Sequence, residues 1–222
     1  MQYIAPFLLL LPLLAPAQAT KCITQRTALF REEVTVLVAE PTVREGPYQK
    51  LLTRKRQLLE EGQYAANRRV GIWTFYDREG QPEVVYDYTQ KTLLLVNRKE
   101  SAPSMAQLWE GDSLRYVVVD RAPVYLASSQ QIYGLLAQEV RFPSHLARAG
   151  LKQLVVNVLV TVAPSGTSFR ILPSHADAEL IRSSRQAALR AFEGIDWLLA
   201  LYQKHPVTAT YLLQDITLTV SP

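Results

Sequence analysis

The stretch EGQYAANRRVGIWTFYDREGQPEVVYDY, residues 61–88, decides the fold of the N-terminal half of the chain. In residues 71–76 the apolar side chains alternate with period two, which places Trp73 and Phe75 on one face of a strand. Residues 77–80, DREG, have the composition of a turn with glycine where positive φ is favoured. The Val- and Tyr-rich residues that follow predict a returning strand. We therefore expect a β-hairpin whose aromatic side chains pack across strands.

The segments around this hairpin are less uniform in pattern. Strands are predicted over 30–40, 92–97 and 114–120, where β-branched and apolar residues cluster. Residues 48–61 are rich in Lys, Arg, Leu and Gln. Their pattern is compatible both with a helix and with an extended segment that precedes the hairpin. Residues 99–111 contain proline, serine and glycine and are interpreted as a loop or linker.

The sequence pattern of the C-terminal half differs from that of the N-terminal half, with longer apolar runs and helical periodicity. A buried strand is predicted over 154–163 (LVVNVLVTVA), followed by a Pro-Ser-Gly turn. An amphipathic helix is predicted over 177–193, with Gly194 as its stop. In chain order the prediction is short helices at 132–138 and 144–149, strands at 154–163 and 167–172, the helix at 177–193, and a last strand at 211–220 with Ile216, Leu218 and Val220 facing inward.

Composition and motifs exclude several classes of function. The chain has 222 residues, 48% hydrophobic and 20% charged, with a formal net charge of +4. It has no dense basic cluster beyond Arg54-Lys55-Arg56 and Arg68-Arg69, so no nucleic-acid partner is expected. No nucleotide-binding, hydrolase or metalloprotease motif occurs, and the three histidines are spread thirty residues apart. We expect no enzyme activity, no cofactor and no metal.

The N-terminal residues predict an exported protein. Residues 1–19 contain a leucine-rich run too short to span a bilayer, and they end in Ala17-Gln18-Ala19, the pattern that signal peptidase recognises. We expect cleavage after Ala19 and a periplasmic or secreted product without stable membrane insertion; an uncleaved anchor is the alternative. Cys22 is the only cysteine, so no internal disulfide is expected.

The pattern G-x-Y followed by N-x-R-x-G-x-W-x-F-Y-D-x-x-G resembles MORN-like repeats over residues 60–90. That family forms β-hairpins that stack side by side. One repeat cannot bury its own aromatic face, so the resemblance implies packing against neighbouring strands. Packing is the favoured interpretation of the aromatic residues, and an exposed ligand surface that includes Trp73 and Tyr76 is the alternative.

Residues 123–220 resemble the C-terminal domain of the energy transducer TonB. The family pattern places a Phe/Tyr-Pro pair before a short helix, alternating valines on a long strand, an alanine-rich helix, a tryptophan and a last apolar strand. The matching positions are Phe142-Pro143, Ala147, Gly150-Leu151, Val156, Val158, Val160, Val162, Gly166, the segment AALRAF at 187–192, Trp197, Pro206-Val207, Leu213, Ile216, Leu218 and Val220.

This resemblance has limits that bear on function. Gln153 stands where the family has glycine, and His205 precedes Pro206 where glycine is common. The long proline-rich spacer that carries a transducer across the periplasm is lacking. The resemblance therefore implies the fold and a peptide-binding sheet edge, but not energy transduction.

Together these patterns predict an α+β protein. It would have a signal peptide at 1–19, a β-rich MORN-like region at 20–98, a linker or strand at 99–122 and a TonB C-terminal-like domain at 123–222. The expected function is non-enzymatic binding of an extended peptide or an envelope protein, for example an outer-membrane receptor, by strand addition. A structural or oligomerising role, with a homodimer, is the alternative. The expected binding residues lie on the last strand: Thr210, Tyr211, Leu213, Asp215, Thr217 and Thr219.

Overall fold

A computed structural model describes residues 18–98, 103–110 and 113–219, without the side chains of Trp109 and Glu110. The predicted signal peptide lies outside the described residues except for Gln18 and Ala19, and so does Val220. Strands account for 53% of the structure and helices for 15%. No helix among the described residues is long and apolar enough to cross a bilayer.

Seven strands form one antiparallel sheet in which each strand pairs with the next one along the chain. Their order in the sheet is therefore their order in the sequence, joined by short turns. The β4–β5 turn is two residues long, and both Ala66 and Asn67 have positive φ. The strands are β1 (Thr20–Arg26), β2 (Phe30–Leu37), β3 (Arg44–Leu52), β4 (Leu58–Ala65), β5 (Arg68–Tyr76), β6 (Pro82–Asp87) and β7 (Thr92–Val96).

One face of this sheet carries an aromatic core. Trp73 and Phe75 on β5 are fully buried, as the period-two pattern predicts, and Tyr48, Tyr64 and Tyr86 on neighbouring strands pack around them. The Trp73 ring lies 5.4 Å from the Tyr48 ring and 5.1 Å from the Tyr64 ring, centroid to centroid. Such tilted and edge-on pairs are the geometry that aromatic quadrupoles favour. The hairpin is thus the centre of a larger sheet.

Residues 48–61, which the sequence leaves open between helix and strand, form the end of β3, a turn at 53–57 and the start of β4. Burial of Tyr48 and Leu59 and cross-strand charge pairing both favour strands, because Lys50 lies opposite Glu32 on one side and opposite Glu60 on the other. Opposite charges at directly facing positions stabilise a sheet. The Leu, Lys and Glu of this segment therefore adopt the strand conformation despite their helical preference.

The second part of the chain builds a five-stranded sheet with helices. Its strand order is β12-β11-β16-β8-β9, and two small two-stranded sheets pair β10 with β13 and β14 with β15. The strands are β8 (Met105–Glu110), β9 (Ser113–Val118), β10 (Val124–Tyr125), β11 (Gln153–Ala163), β12 (Gly166–Pro173), β13 (Trp197–Leu198), β14 (Ala200–Tyr202), β15 (His205–Val207) and β16 (Ala209–Thr219), and the helices are α1 (Ser129–Glu139), α2 (Ser144–Arg148) and α3 (Ala178–Ala191).

The core of this part forms between β11, β16 and the helices. Val156, Val158 and Val160 on β11 are fully buried and pack against Leu180 and Ala188 of α3. The helix begins where the sequence predicts, because the Asp177 carboxylate accepts a hydrogen bond of 2.8 Å from the Leu180 backbone N–H. The predicted strands, turn and helix of this half are present.

The predicted fold class is nevertheless wrong. The sequence predicts an α+β protein with one hairpin region and a small helix–hairpin–helix–strand domain, whereas the structure is mostly β with a seven-stranded antiparallel sheet. Part of the difference comes from residues 99–111, interpreted as a loop or linker, in which Met105–Glu110 is strand β8. The pairing of β8 with β9 and β16 extends the second sheet.

The two sheets are joined through the loop that follows β7. Arg98 donates hydrogen bonds to the backbone oxygens of Tyr125 and Ala127, at 3.3 and 2.9 Å, and to Glu83 at 3.2 Å. Glu83 also accepts a hydrogen bond from the Ser129 backbone N–H at the start of α1. Because Arg98 and Glu83 are almost completely buried, this contact anchors β6 to the second part of the chain.

Candidate functional site

The expected binding residues on β16 do not share one exposed edge. Tyr211 and Leu213 point into the core and are buried. The Thr210 hydroxyl donates a hydrogen bond of 3.4 Å to the Met105 backbone oxygen on β8. Only the far end of the strand, with Asp215, Thr217 and Thr219, is exposed. These side chains therefore divide between a structural and a solvent-facing group.

A β-bulge separates the two groups. The register between β11 and β16 shifts after the pair Val158–Leu213, and Asp215 has a φ of 61°. The Asp215 backbone N–H is satisfied by the Asn157 side-chain oxygen at 2.9 Å. A bulge adds one residue to a strand and so reverses which side chains face the core. This is why odd-numbered residues are buried before the bulge and exposed after it.

The last strand is not the outermost strand of its sheet, contrary to the prediction, although only Ala209 pairs with the described strand beyond it. β16 is the third strand of five, with β11 on one side and β8 on the other. Its pairing with β8 is short, at Ala209 opposite Ala106. The sequence could not reveal this neighbour, because residues 99–111 carry the proline and glycine typical of a loop. The edges of the sheet are β12 and β9.

Of the two edge strands, β9 is more apolar than β12. Leu114, Tyr116 and Val118 recur at every second position and are 40%, 62% and 57% exposed. They share one face of the strand, and no described strand pairs with its outer side. The Tyr116 hydroxyl accepts a hydrogen bond of 3.2 Å from Gln107 on β8, which holds its ring over the hairpin. The sequence predicts this strand but indicates no role for it in binding.

The edge of the first sheet, β7, is apolar in a different way. Leu94, Leu95 and Val96 are all exposed, but consecutive residues of a strand point to opposite faces. Leu93 packs against the aromatic core. The exposed groups of β7 are thus divided between two faces, whereas those of β9 form one stripe.

Trp73 and Tyr76, the two aromatic residues of the alternative ligand surface, differ in their exposure to solvent. Trp73 is 0% exposed, and its Nε1–H donates a hydrogen bond of 3.1 Å to the Gln63 backbone oxygen. The alternative prediction of an exposed Trp73 is therefore wrong. Tyr76 is partly exposed, and its hydroxyl donates to Glu61 at 2.5 Å. Burial, followed by this bond and the carboxylate charge, raises the pKa of Tyr76 to about 12.

The histidines take separate structural positions. His145 on α2 lies 2.8 Å from the Asp177 carboxylate at the start of α3. His175 and His205 are exposed and lie elsewhere in the chain. Within 18–98, 103–110 and 113–219, no group of three or more His, Cys, Asp or Glu side chains could hold a metal ion.

Comparisons with protein-family models, curated proteins and solved structures give no match for this chain. The resemblances to MORN-like repeats and to the TonB C-terminal domain therefore stay predictions.

Proposed function

We propose that this chain is a periplasmic or secreted, non-enzymatic interaction module that binds an extended polypeptide by adding it as a strand beside β9. The observation that carries this proposal is the stripe of Leu114, Tyr116 and Val118 on a strand whose outer side is unpaired in the described structure. The location rests on the predicted signal peptide at 1–19.

Two kinds of interaction are incomplete on β9: the backbone hydrogen bonding of its outer edge and the burial of its apolar side chains. An edge strand presents a row of backbone N–H and C=O groups that another extended chain can pair with. Proteins usually protect such an edge with charged residues or proline. β9 has one charged residue, Arg115, and it lies between the apolar side chains of Leu114, Tyr116 and Val118. A partner strand would satisfy the backbone groups and cover the apolar stripe at the same time. Its alternate residues would be apolar to match the stripe.

The resemblance of residues 123–220 to the TonB C-terminal domain supports the same class of function. It implies peptide binding at a sheet edge, and an envelope protein such as an outer-membrane receptor is the corresponding partner. The edge proposed here differs from the one that the resemblance implies, because β8 pairs beside β16. The expected partner is still a protein segment in extended conformation.

The test is capture of envelope proteins by residues 20–222, followed by direct binding. Wild type and the double variant Tyr116→Lys/Val118→Lys are immobilised in parallel, and captured proteins are identified by mass spectrometry. A peptide from the captured protein is then titrated by calorimetry. We expect the two lysines to weaken peptide binding at least tenfold, because they replace apolar contact with charge at the strand edge.

The matched control is Ile72→Lys, which places the same charge on an exposed side chain of β5. β5 is paired on both sides, so it offers no edge to a partner. Equal capture by wild type, the β9 variant and the control would refute strand addition at β9. So would a captured peptide whose affinity is the same for all three proteins.

Self-association is the second candidate, and the exposed residues Leu94, Leu95 and Val96 of edge strand β7 favour it. Two copies could pair through these strands in a homodimer with a structural role in the envelope. Light scattering of wild type and Leu94→Lys separates the candidates. A dimer that the lysine converts to a monomer supports self-association, and a wild-type monomer rejects it.

A further inference from the structure

A cleft of about 690 Å³ lies between the aromatic face of the first sheet and the second part of the chain. Side chains of β3, β4 and β5 line one wall, and residues of α1 and of the segment after α3 line the other. Clefts of this volume between two packed units are common places for small-molecule binding. The cleft is remote in sequence from β9 and was not identified from the sequence.

Charged side chains of opposite sign alternate along the floor of the cleft. Lys50 lies 3.4 Å from Glu32 and 4.0 Å from Glu60, and Arg69 lies 4.0 Å from Glu60. Arg69 also lies 4.0 Å from Asp196 in the second part of the chain. Glu60 is only 2% exposed and accepts a hydrogen bond of 3.2 Å from the Tyr48 hydroxyl. Lys50 and Arg69 are therefore each paired with carboxylates of the cleft itself.

The charges that remain lie on the two walls. On the sheet wall, Arg44 and Arg68 have no carboxylate partner among the described residues. Arg44 is held in place by a bond of 3.2 Å from its Nη1 to the Tyr64 hydroxyl, with its guanidinium carbon 5.1 Å from that ring. Glu193 on the other wall is likewise unpaired within the described ranges.

One buried acceptor in the cleft is also unsatisfied. Gln131 on α1 is 6% exposed, and its Oε1 has no hydrogen-bond partner in the part of the chain that the structure describes. Leaving a buried polar atom without a partner is destabilising, so such atoms usually have a role. Gln131 lines the same cleft as Arg44 and Arg68. A ligand N–H would satisfy it.

We infer that the cleft binds a short peptide by its free C-terminal carboxylate. Arg44 and Arg68 would hold the carboxylate, since guanidinium groups bind carboxylates through paired hydrogen bonds. Gln131 Oε1 would accept from a peptide N–H, and Glu193 would face the amino end. The volume of about 690 Å³ lies within the range of about 300–1,000 Å³ typical of ligand clefts, which suits a short peptide.

Two other ligand classes fit the lining less well. A phosphate would meet four carboxylates, Glu32, Glu60, Glu193 and Asp196, as well as four cations. A saccharide would need an exposed ring face, but Arg44 covers Tyr64 and Arg69 lies 5.6 Å from the centroid of the Tyr88 ring. A zwitterionic peptide matches a lining in which cations and anions are balanced.

The experiment is retention of an equimolar tripeptide pool on immobilised residues 20–222, compared with the same pool amidated at the C-terminus. We expect the free-acid pool to bind at least tenfold more strongly, and Arg44→Gln and Arg68→Gln each to reduce its binding about tenfold. Arg54→Gln, which changes an exposed arginine outside the cleft, is the control and should retain full binding.

Equal retention of the two pools, or retention of neither, would overturn the inference. So would displacement of the bound peptides by inorganic phosphate or by a neutral trisaccharide at equal concentration. Arg68 is exposed, so its replacement leaves the fold intact and a loss of binding reports on the cleft. The β9 variant Tyr116→Lys/Val118→Lys should bind tripeptides normally, which separates this site from the one proposed above.

Discussion

The Trp73 ring packs directly over the backbone of Gly62, so closely that a Cβ atom at Gly62 would lie 2.3 Å from the ring. The two residues lie on neighbouring strands β4 and β5 at the centre of the first sheet. The register between these strands shifts between Glu61 and Gln63, next to this contact. The glycine is therefore required by the tryptophan, since any larger residue would displace the ring.

Gly62→Ala should destabilise the protein by about 1–3 kcal/mol, the usual cost of inserting a methyl group into a packed core. Tyr48, Tyr64 and Phe75 surround the Trp73 ring, which leaves it no space to shift. Urea unfolding followed by tryptophan fluorescence measures the change. The control is Gly134→Ala in α1, where an added Cβ meets nothing within 4 Å. That variant should be neutral or slightly stabilising, because alanine favours helix.

Burial, more than distance, should determine the strength of the ion pairs. Arg98→Met removes the partner of buried Glu83, and we expect a loss of about 3–5 kcal/mol, since an uncompensated charge would remain in the core. It also removes the guanidinium that lies 3.6 Å from the Tyr125 ring centroid. Urea unfolding and near-UV circular dichroism report the loss of stability and of the packing of Tyr125.

The comparison for Arg98 is Arg190→Met, which breaks a shorter pair. Arg190 lies 2.6 Å from Glu139, but its side chain is 66% exposed. Exposed pairs contribute about 1 kcal/mol or less. Equal effects of the two substitutions would contradict the structural role of Arg98. Partial recovery in Glu83→Gln/Arg98→Met would support it, because the double variant leaves no buried charge.

The elements that local pattern determines could be predicted from the sequence. The alternation around Trp73 predicts the hairpin strand, and the valines of 154–163 predict β11, because burial on one face imposes a period of two. The helix over 177–193 follows from its apolar stripe and its first residue Asp177. In each case the residues that form the element also carry the signal.

The elements that depend on distant partners could not be predicted. Strands β3 and β4 are stabilised by charges opposite one another, such as Lys50 and Glu60, and nothing local distinguishes these from a charged helix. Strand β8 is defined by pairing with β9 and β16, although its surroundings are typical of a loop. The cleft is formed by residues more than a hundred positions apart, such as Arg69 and Asp196.

Acid should weaken the start of α3. The Leu180 N–H and then His145 lower the pKa of Asp177 below its ordinary value, although burial opposes them. A carboxylate with a lowered pKa stabilises the fold above its unfolded pKa, and this contribution is lost as pH falls through the folded pKa. Asp177→Asn keeps an oxygen acceptor but no charge. The melting-temperature difference between wild type and Asp177→Asn should therefore shrink from about pH 6 to pH 3.

The control for this pH dependence is Glu40→Gln, which changes an exposed carboxylate whose side chain has no hydrogen bond or ion pair within the described residues. Its melting temperature should remain parallel to that of wild type across the same range. A constant difference for Asp177→Asn, from neutral to acidic pH, would show that the charge of Asp177 does not contribute to stability.

The bulge in β16 should tolerate glycine and reject β-branched residues. Asp215 has a φ of 61°, a conformation that costs an ordinary L-residue about 1–2 kcal/mol and a β-branched residue more. We expect Asp215→Val to lower the free energy of unfolding by about 1–3 kcal/mol and Asp215→Gly to leave it unchanged or raise it. Thr219→Val is the matched control, since Thr219 is exposed on the same strand, has no positive φ and its side chain makes no hydrogen bond among the described residues. It should change stability by less than about 0.5 kcal/mol. If Asp215→Val and Thr219→Val prove equally stable, the backbone at the bulge is not strained.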